Sequence, residues 1–367
     1  MPSVGPEDRE LLGEILHELG TQRTEPNGPD QRDGVDTASP LHEDEDDDDD
    51  TVDNDVKGTT LNADDNEVDE AKESDVGISV QTGTKKWIKG ALIGAGSLGK
   101  VYLGMDASSG LLMAVKQVEL PTGSRPNQER RKSMLTALET EIELLKNLQH
   151  ENIVRYLYSS LDEEFLSIFL EYVPGGSVAT LLSNYGAFEE NLVINFVPQI
   201  LQGLDYLHER DIIHRDIKGA NILVDNKGGA KISYFGTPKK VDDYLLGGDR
   251  PSLQGSVFWM APEVVKQTGH TKKADIWSVG CLVVEMLTGE HPWAQLTQMQ
   301  AIFKIGSSAK PAIPSGIAAE AQDFLQRTFE INHEARPGAA ELLQHPWIAK
   351  GFKEKDSLPA TDSIPSL

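Results

Sequence analysis

The spacing of apolar residues divides the chain into an N-terminal stretch without periodicity and a longer stretch with regular patterns. Runs rich in β-branched and aromatic residues predict strands over 87–93, 100–103 and 112–116, with glycine-containing turns between them. Residues 129–148 follow with the spacing of an amphipathic helix. The apolar face of this helix comprises Leu135, Leu138, Ile142 and Leu145.

The second half of the chain is mainly helical in pattern. Residues 165–172 predict two strand fragments that end at a Pro-Gly-Gly turn, 174–176, which we interpret as a hinge between two lobes. Strands first and helices later predict an α+β fold with a small β-rich lobe and a larger helical lobe. Helical spacing recurs in six segments after the hinge, namely 177–184, 189–209, 271–288, 297–304, 318–328 and 338–343.

Residues 1–80 carry 26 acidic and only 5 basic side chains, and no Phe, Trp or Tyr. Such a composition buries too little apolar surface to offset chain entropy, so we expect disorder. Within this stretch, Leu11–Leu19 has roughly helical apolar spacing, which fits either a transient helix or a short helix that folds on a partner. The acidic run Glu43–Asp50 is interpreted as a solvated spacer, with attraction to a basic surface as the alternative.

Charge and cysteine content exclude several classes of protein. The formal net charge is −25 at pH 7, and most of it lies in residues 1–80. The rest of the chain lacks the basic surplus of a nucleic-acid-binding domain. The single Cys281 excludes an internal disulfide framework, and no apolar run has the length of a transmembrane helix. We therefore expect a soluble cytoplasmic protein that neither binds nucleic acid nor inserts into a membrane.

A glycine-rich run, Gly94 to Val101, follows the pattern G-x-G-x-x-G-x-V between two predicted strands. Glycines let the backbone approach a phosphate closely and point N–H groups at it. Dinucleotide-binding folds contain a similar glycine motif, but there the glycine-rich loop leads into a long helix. Here the residues after Gly99 predict a strand. The pattern therefore favours a nucleotide loop between strands over a dinucleotide loop, with an ordinary glycine-rich hairpin as the third interpretation.

Lys116 ends the third predicted strand among apolar neighbours. A lysine in such a setting needs an anionic partner. Glu141 is the natural candidate, because its neighbours Ile142 and Leu145 lie on the core face of the following helix. The alternative is a solvated lysine at a strand end, which the spacing after the glycine-rich run disfavours.

The residues from His214 to Asn221 bring five polar or charged side chains together between two β-prone runs. Burying so many polar groups is unfavourable unless each has a partner, so we expect this loop to carry chemistry. His214 itself is interpreted as a packed histidine that holds the loop, rather than as a base. Later in the chain, Asp275 opens a helix from which it can cap backbone N–H groups of the loop, and Arg336 should form a buried ion pair with Glu263.

Taken in order, these motifs resemble those of eukaryotic protein kinases, from about Trp87 to Phe352. Within that superfamily the chain is similar to MAP kinase kinase kinases of the fungal mating and stress type. The runs that carry this closer similarity are 170–178, 214–224, 255–264 and 273–281.

The resemblance implies the bilobal kinase fold, with an N-lobe over 87–173 and a C-lobe over 174–352. A disordered acidic region over 1–86 would precede it, and a C-terminal tail over 353–367 would follow. The implied activity is transfer of the γ-phosphate of ATP, with Mg²⁺, to Ser or Thr hydroxyls of a MAP kinase kinase. The sequence does not identify an upstream activator or adaptor.

The resemblance also assigns roles to individual residues. Asp216 would accept or orient the proton of the attacking hydroxyl, Lys218 would neutralise the transferred phosphate, and Asn221 would ligate Mg²⁺. Lys116, paired with Glu141, would contact the α- and β-phosphates of ATP. Ser252 and Ser256 are candidate phosphorylation sites, and Glu263, Asp275 and Arg336 would be structural. The other residues implied to bind ATP are Ile93, Gly94, Ala95, Gly96, Ser97, Gly99, Val101, Ala114, Leu170 as gatekeeper, the hinge residues Glu171 and Val173, and Leu223.

One position departs from the family pattern. Tyr234, followed by Phe235 and Gly236, stands where active kinases have the Asp that holds the bridging Mg²⁺. A phenol has an ordinary pKa of about 10, so it is neutral at physiological pH and a poor ligand for a hard cation. We expect its presence to weaken metal binding and to lower the rate of phosphoryl transfer.

Two hypotheses from different classes follow. The first is a Ser/Thr kinase of the MAP kinase kinase kinase type with impaired activity, supported by the intact Lys116, Glu141, Asp216, Lys218 and Asn221. The second is a catalytically weak or dead pseudokinase that acts as a scaffold or allosteric partner, supported by Tyr234.

Overall fold

The computed structural model describes residues 86–96, 99–233, 239–240 and 256–350. The disorder and the short helix expected within residues 1–80 lie outside the described residues. Three of the expected site residues also lie outside them, namely Ser97, Tyr234 and Ser252.

Five strands form one antiparallel sheet in the order β1-β2-β3-β5-β4. Helix α1, Arg125–Lys146, packs against this sheet, with Leu138 and Ile142 in the same core as Val118 and Leu166. The sheet and α1 together make the small lobe. The strands are β1 Trp87–Gly96, β2 Gly99–Asp106, β3 Leu112–Glu119, β4 Tyr156–Leu161 and β5 Phe165–Glu171.

Three details of the small lobe differ from the sequence prediction. The segment 165–172 does not form two strand fragments, because Phe165–Glu171 is one continuous strand. Its partner is β4, which the pattern did not reveal because all its residues are half-buried and show no alternation. Helix α1 also begins earlier than expected, with a proline in its first turn, where the missing N–H is not needed.

Seven residues beyond the end of β5, a mainly helical lobe begins around one large apolar core. The core comes chiefly from α3, α5 and α7, with Leu201, Trp277 and Phe324 fully buried. The helices are α2 Val178–Tyr185, α3 Glu190–His208, α4 Pro262–Val265, α5 Lys272–Thr288, α6 Gln298–Gly306, α7 Ala319–Thr328 and α8 Ala339–Leu343.

Short elements frame the polar loop of the helical lobe. Strand β6, Ile212–Ile213, pairs with β9, Lys239–Lys240, and β7, Ile222–Val224, pairs with β8, Ala230–Ile232. A single 3₁₀ turn, Gly219–Asn221, leads into β7. The polar loop therefore runs between the ends of β6 and β7, held at both sides by strand pairing.

The Pro-Gly-Gly turn joins the two lobes, as predicted. A Cβ atom on Gly175 would lie 2.2 Å from the carbonyl oxygen of Val224, so only glycine lets the connection pass so close to β7. A second link is the ion pair of Lys231 with Glu171, at 3.1 Å between Nζ and Oε1. It ties the end of β5 to β8.

The architecture confirms the predicted α+β fold with a small antiparallel sheet lobe and a larger helical lobe. Among the helices that the structure describes, none combines the length and hydrophobicity needed to span a bilayer.

Candidate active site

Lys116 and Glu141 form a buried ion pair between strand β3 and helix α1. The Lys116 Nζ atom lies 3.6 Å from Glu141 Oε1, and only 4% and 2% of the two side chains are exposed. Burial raises the pKa of Glu141, and the Lys116 ammonium opposes that rise. Within the described ranges, no hydrogen bond reaches Lys116 Nζ or either carboxylate oxygen of Glu141. A buried ammonium with unused N–H groups is suited to an anionic ligand.

The apolar residues expected around an adenine ring belong to one cluster. Val101, Ala114, Leu170 and Val173 are buried in the core of the small lobe, and Leu223 from β7 packs against that core. Residues from both lobes therefore meet there, as a base held between the lobes would require.

The hinge and the glycine-rich turn complete this side of the site. The N–H of Glu171 donates to the carbonyl of Arg155 at 2.8 Å, so a backbone contact from Glu171 to a ligand would come from its carbonyl. Gly96 pairs with Gly99 to close the β1–β2 hairpin. Gly99 has φ +144°, and a Cβ there would lie 2.2 Å from the carbonyl oxygen of Gln117. Ile93, next to this turn, is half exposed.

The groups on this side of the site are suited to binding a nucleotide. The cluster offers an apolar surface to a base, the hairpin turn is built on glycines, and the Lys116 ammonium is available for phosphate. These are the residues that would hold ATP.

A network of hydrogen bonds surrounds the carboxylate of Asp216. Lys218 Nζ lies 2.9 Å from Asp216 Oδ2 and also donates to Ser256 Oγ at 2.7 Å. Ser256 Oγ in turn donates to Asp216 Oδ1 at 2.5 Å. Burial raises the pKa of Asp216, but the Lys218 ammonium and the Ser256 hydroxyl outweigh that effect and lower it. Asp216 is therefore ionised at neutral pH and able to accept a proton or a hydrogen bond.

Asn221 is held in one orientation by the same carboxylate. Its amide nitrogen donates to the backbone oxygen of Asp216 at 2.7 Å and to Oδ2 at 2.8 Å. Its amide oxygen receives no hydrogen bond from any described residue, and amide oxygen is a ligand type that Mg²⁺ accepts. Asn221 would therefore supply one ligand. In the described part of the chain, no group of three or more His, Cys, Asp or Glu side chains could hold a metal ion.

His214 is packed within the loop. Its Nε2 atom lies 3.0 Å from the carbonyl oxygen of Ser233, and its Nδ1 atom accepts the N–H of Asp216 at 3.3 Å. A carbonyl can only accept, so Nε2 carries the proton and the ring is in the neutral tautomer. Both nitrogens are thereby engaged in holding the loop, as expected for a structural histidine.

Asp275 anchors the other side of the loop. Its carboxylate accepts the N–H groups of His214 and Arg215, at 2.9 and 2.8 Å, and the His208 Nε2 atom at 2.8 Å. Burial raises its pKa, but the hydrogen bond from His208 and the other contacts lower it overall. Arg215 has φ +70°, a left-handed conformation that is strained for a residue with a Cβ. The bond from its N–H to Asp275 stabilises that conformation.

The structure also brings Glu263 and Arg336 together. The guanidinium donates to both carboxylate oxygens, at 2.7 and 3.1 Å, and Arg336 is fully buried. This bidentate pair joins helix α4 to the segment before α8.

Two residues of the site make contacts that were not foreseen from the sequence. Ser256 was expected as a site of phosphorylation or substrate docking, yet its hydroxyl forms hydrogen bonds with Asp216 and Lys218. Glu285 accepts the N–H of Gly219 and the indole N–H of Trp259. An acidic residue inside the apolar run 281–287 was a signal of burial that could have pointed to Glu285.

The chain matches the protein kinase domain family over residues 87–348. It is 61% identical over 272 residues to mitogen-activated protein kinase kinase kinase MST11 of Pyricularia oryzae. This alignment covers 72% of the present chain and 30% of that protein. It is 52% identical over 300 residues to serine/threonine-protein kinase STE11 of Saccharomyces cerevisiae, covering 72% and 42%. Mitogen-activated protein kinase kinase kinase 2 of Arabidopsis thaliana is 49% identical over 278 residues, covering 75% and 42%.

The chain spans about a third to two-fifths of the length of these relatives. The family match nevertheless includes both lobes and every described residue of the site. The predicted resemblance is confirmed: the chain belongs to the protein kinase domain family and is similar to fungal MAP kinase kinase kinases.

Proposed function

We propose that the chain is an ATP-dependent serine/threonine protein kinase of the MAP kinase kinase kinase type. It would transfer the γ-phosphate of ATP to Ser or Thr hydroxyls of a MAP kinase kinase. The observation that carries this proposal is the ionised Asp216 carboxylate, held by Lys218, Ser256 and Asn221. The names of the relatives support the substrate class.

Each residue of the network has a distinct part in the proposed reaction. Asp216 orients the acceptor hydroxyl and accepts its hydrogen bond, because its lowered pKa keeps it ionised. Lys218, beside it, offers positive charge for the transferred phosphoryl group. Lys116 holds phosphate oxygens and is itself kept in place by Glu141. Bound magnesium would supply charge neutralisation on the phosphates.

The domain boundaries of this proposal are those given by the resemblance. The N-lobe covers 87–173 and the C-lobe 174–352, with flanking regions over 1–86 and 353–367. The cytoplasmic setting inferred from Cys281 and the absence of an apolar spanning run stays a prediction.

Tyr234 supports a second candidate function. With a neutral phenol in place of the metal-binding carboxylate, the chain would bind nucleotide weakly and act as a scaffold or allosteric partner. The intact network around Asp216 favours the kinase function, and the substituted position favours the pseudokinase.

A comparison of the unmodified chain with three variants tests the two functions. The unmodified chain, Tyr234→Asp, Tyr234→Phe and Asp216→Asn would each be assayed for phosphorylation of a MAP kinase kinase in the presence of Mg²⁺ or Mn²⁺. We expect Tyr234→Asp to be at least ~100-fold faster than the unmodified chain, since a lost metal ligand costs about 3 kcal/mol or more. Tyr234→Phe, which changes only the hydroxyl, should match the unmodified chain, and Asp216→Asn should be inactive.

Equal rates for the unmodified chain and Tyr234→Asp would show that Tyr234 does not impair the reaction. Inactivity of both forms, together with an ATP-dependent rise in melting temperature that needs no metal, would favour the pseudokinase.

A further inference from the structure

We propose that a groove on the sheet of the small lobe binds the segment Leu11–Leu16 of the same chain as an amphipathic helix. This small-lobe groove lies between the β2–β3 turn, 106–111, and residues 155–158 at the start of β4, and its volume is about 910 Å³. The proposal concerns binding and not phosphoryl transfer, so it is tested independently of the proposed function.

The small-lobe groove opens on the face of the sheet that is opposite to α1. Met113 and Phe169 form an apolar cluster that is separate from the core shared by the sheet and α1. Their chain neighbours Ala114 and Leu170 belong to that core. This division follows because successive residues of a strand point to opposite faces of the sheet.

The floor and one wall of the groove are apolar. Met113 is 1% exposed at the base, and Tyr158 beside it stacks on Phe169 with 4.1 Å between the ring centroids. Trp87 packs edge-on against the same Phe169 ring. Leu111, in the wall, is 52% exposed. An exposed apolar wall over a packed aromatic floor is suited to the apolar face of a helix.

The rim of the groove carries positive charge. Lys86 and Arg155 both line it and are exposed, and neither forms an ion pair with an acid in the described part of the chain. Asp106 is the acid of the lining, and it is bound within the β2–β3 turn. Its Oδ1 atom accepts hydrogen bonds from Ser108 and Ser109, which hold the pKa of Asp106 well below its ordinary range. The groove therefore favours a segment that combines an apolar face with acidic residues.

The segment Leu11–Leu16 has that combination. Glu7 and Glu14 lie seven positions apart, so in a helix they align along one edge of the apolar face. Elsewhere in residues 1–85, no two of Leu, Ile, Val and Met adjoin, so no other part of this region offers such a helical face. The side chains that form the face are Leu11, Leu12, Ile15 and Leu16.

The chain between the segment and the groove is long enough for binding within one molecule. Residues 17–85 separate Leu16 from Lys86, which itself stands at the rim. Fully extended, they reach about 230 Å, so distance does not prevent the contact. A tether of this kind gives an effective concentration on the order of 1 mM, so a helix with a Kd of about 0.1 mM would be about 90% bound.

Disulfide trapping in the full chain tests the contact directly. Ile15→Cys with Leu111→Cys places one thiol on the apolar face and one on the groove wall, while the native Cys281 is buried. The matched control pairs Ile15→Cys with Leu112→Cys, since Leu112 is the next residue, is 47% exposed and lies outside the lining. On oxidation with diamide, the Leu111 pair should form its disulfide within one chain about tenfold faster than the control pair, because a bound segment holds the thiols within bonding distance.

Equal rates for the two cysteine pairs would overturn the proposal, because they would show that the segment does not prefer the groove. Disulfides formed only between chains would also overturn it, since the occupant would then be the segment of a second copy.

A peptide of residues 5–16 tests the chemistry of recognition. It is titrated into the full chain and into a chain in which the segment is disabled by serine at the four apolar positions. The disabled chain should bind the peptide about tenfold more tightly than the parent, whose own segment competes for the groove. Equal affinity for the two chains would overturn the proposal.

Charge reversal in the disabled chain tests the rim. Lys86→Glu with Arg155→Glu should weaken peptide binding about tenfold, and a peptide with lysine at positions 7 and 14 should restore it, which also shows that the variant is folded. Arg130→Glu with Lys132→Glu, on the exposed surface of α1, is the matched control and should bind the original peptide unchanged. An equal loss in the control, or no rescue by the lysine peptide, would show that the rim does not recognise the acidic edge.

Discussion

At the scale of single residues, the side chain of Ser256 connects the polar loop, 214–221, with the turn that begins at Ser256. Its hydroxyl donates to Asp216 Oδ1 and accepts from Lys218 Nζ, so it bridges the two charged groups. A phosphate on this oxygen would place up to two negative charges against the Asp216 carboxylate. In this conformation, Ser256 is therefore suited to orient Asp216. Its phosphorylation stays a prediction, and the geometry implies that the modification would inhibit.

Substitutions at Ser256 should distinguish the effect of losing its hydroxyl from the effect of adding a negative charge at this position. Ser256→Thr keeps the hydroxyl and should retain kcat within about threefold, whereas Ser256→Ala leaves a gap between Asp216 and Lys218 and should lower it about tenfold or more. Ser256→Asp should abolish turnover through like-charge repulsion. Steady-state kinetics in the Tyr234→Asp background would measure these effects. An active Ser256→Asp chain would contradict this role for the hydroxyl.

At the scale of elements, the Glu263–Arg336 pair holds α4 against the segment that leads to α8. The guanidinium also donates to the carbonyls of Glu330 and Lys273, at 2.9 and 2.7 Å, and lies over the ring of Trp277. Arg336 is fully buried and only 6% of Glu263 is exposed. Removing one partner would therefore leave an uncompensated buried charge.

Arg336→Met should destabilise the chain by about 3–5 kcal/mol, because it leaves Glu263 buried and unpaired. The double variant Glu263→Gln with Arg336→Met should recover part of that loss. Urea unfolding would measure both. Arg327→Met, which breaks an exposed pair with Asp323 one turn away on α7, should cost less than about 1 kcal/mol. Similar losses for Arg327→Met and Arg336→Met would show that burial does not set the cost.

The stability of the whole molecule should depend on pH through His270, which lies between α4 and α5. Burial lowers its pKa to about 4, with the Arg215 guanidinium adding to the effect and the carboxylates of Asp275 and Glu263 opposing it. The unfolded chain has the ordinary value of 6.5 and so binds a proton first as the pH falls. The free energy of unfolding therefore decreases as the pH falls from 6.5 to about 4. Below pH 4, His270 is protonated in both states and has no further effect on stability.

His270→Gln should remove this part of the pH dependence. Between pH 7.5 and 5.0 the parent should lose about 2 kcal/mol more unfolding free energy than His270→Gln does. Urea unfolding at the two pH values would measure the difference. His333→Gln, the matched control, should behave as the parent does. An identical pH dependence in the parent and His270→Gln would show that His270 is not the group responsible.

The sequence by itself determined the fold class and most of the order of elements, and it predicted the residues of the site. Apolar residues recur every 2 positions in a strand and every 3.6 positions in a helix, because one face of each element is buried. The spacing of Leu138, Ile142 and Leu145, all of which are buried, therefore indicates a helix and its core face from a short segment of sequence. The pattern failed for β4, whose half-buried residues show no alternation because packing from other elements decides their exposure.

Only the tertiary structure decided which polar groups meet. Ser256 contacts Asp216 across 40 residues, and Glu285 contacts Gly219 across 66. A hydrogen bond depends on tenths of an ångström and on side-chain rotamers, which residue spacing along the chain does not specify once loops intervene. The sequence therefore predicted Asp216, Lys218 and Asn221 as site residues, whereas the contacts of Ser256 and Glu285 with the polar loop are seen only in the tertiary structure.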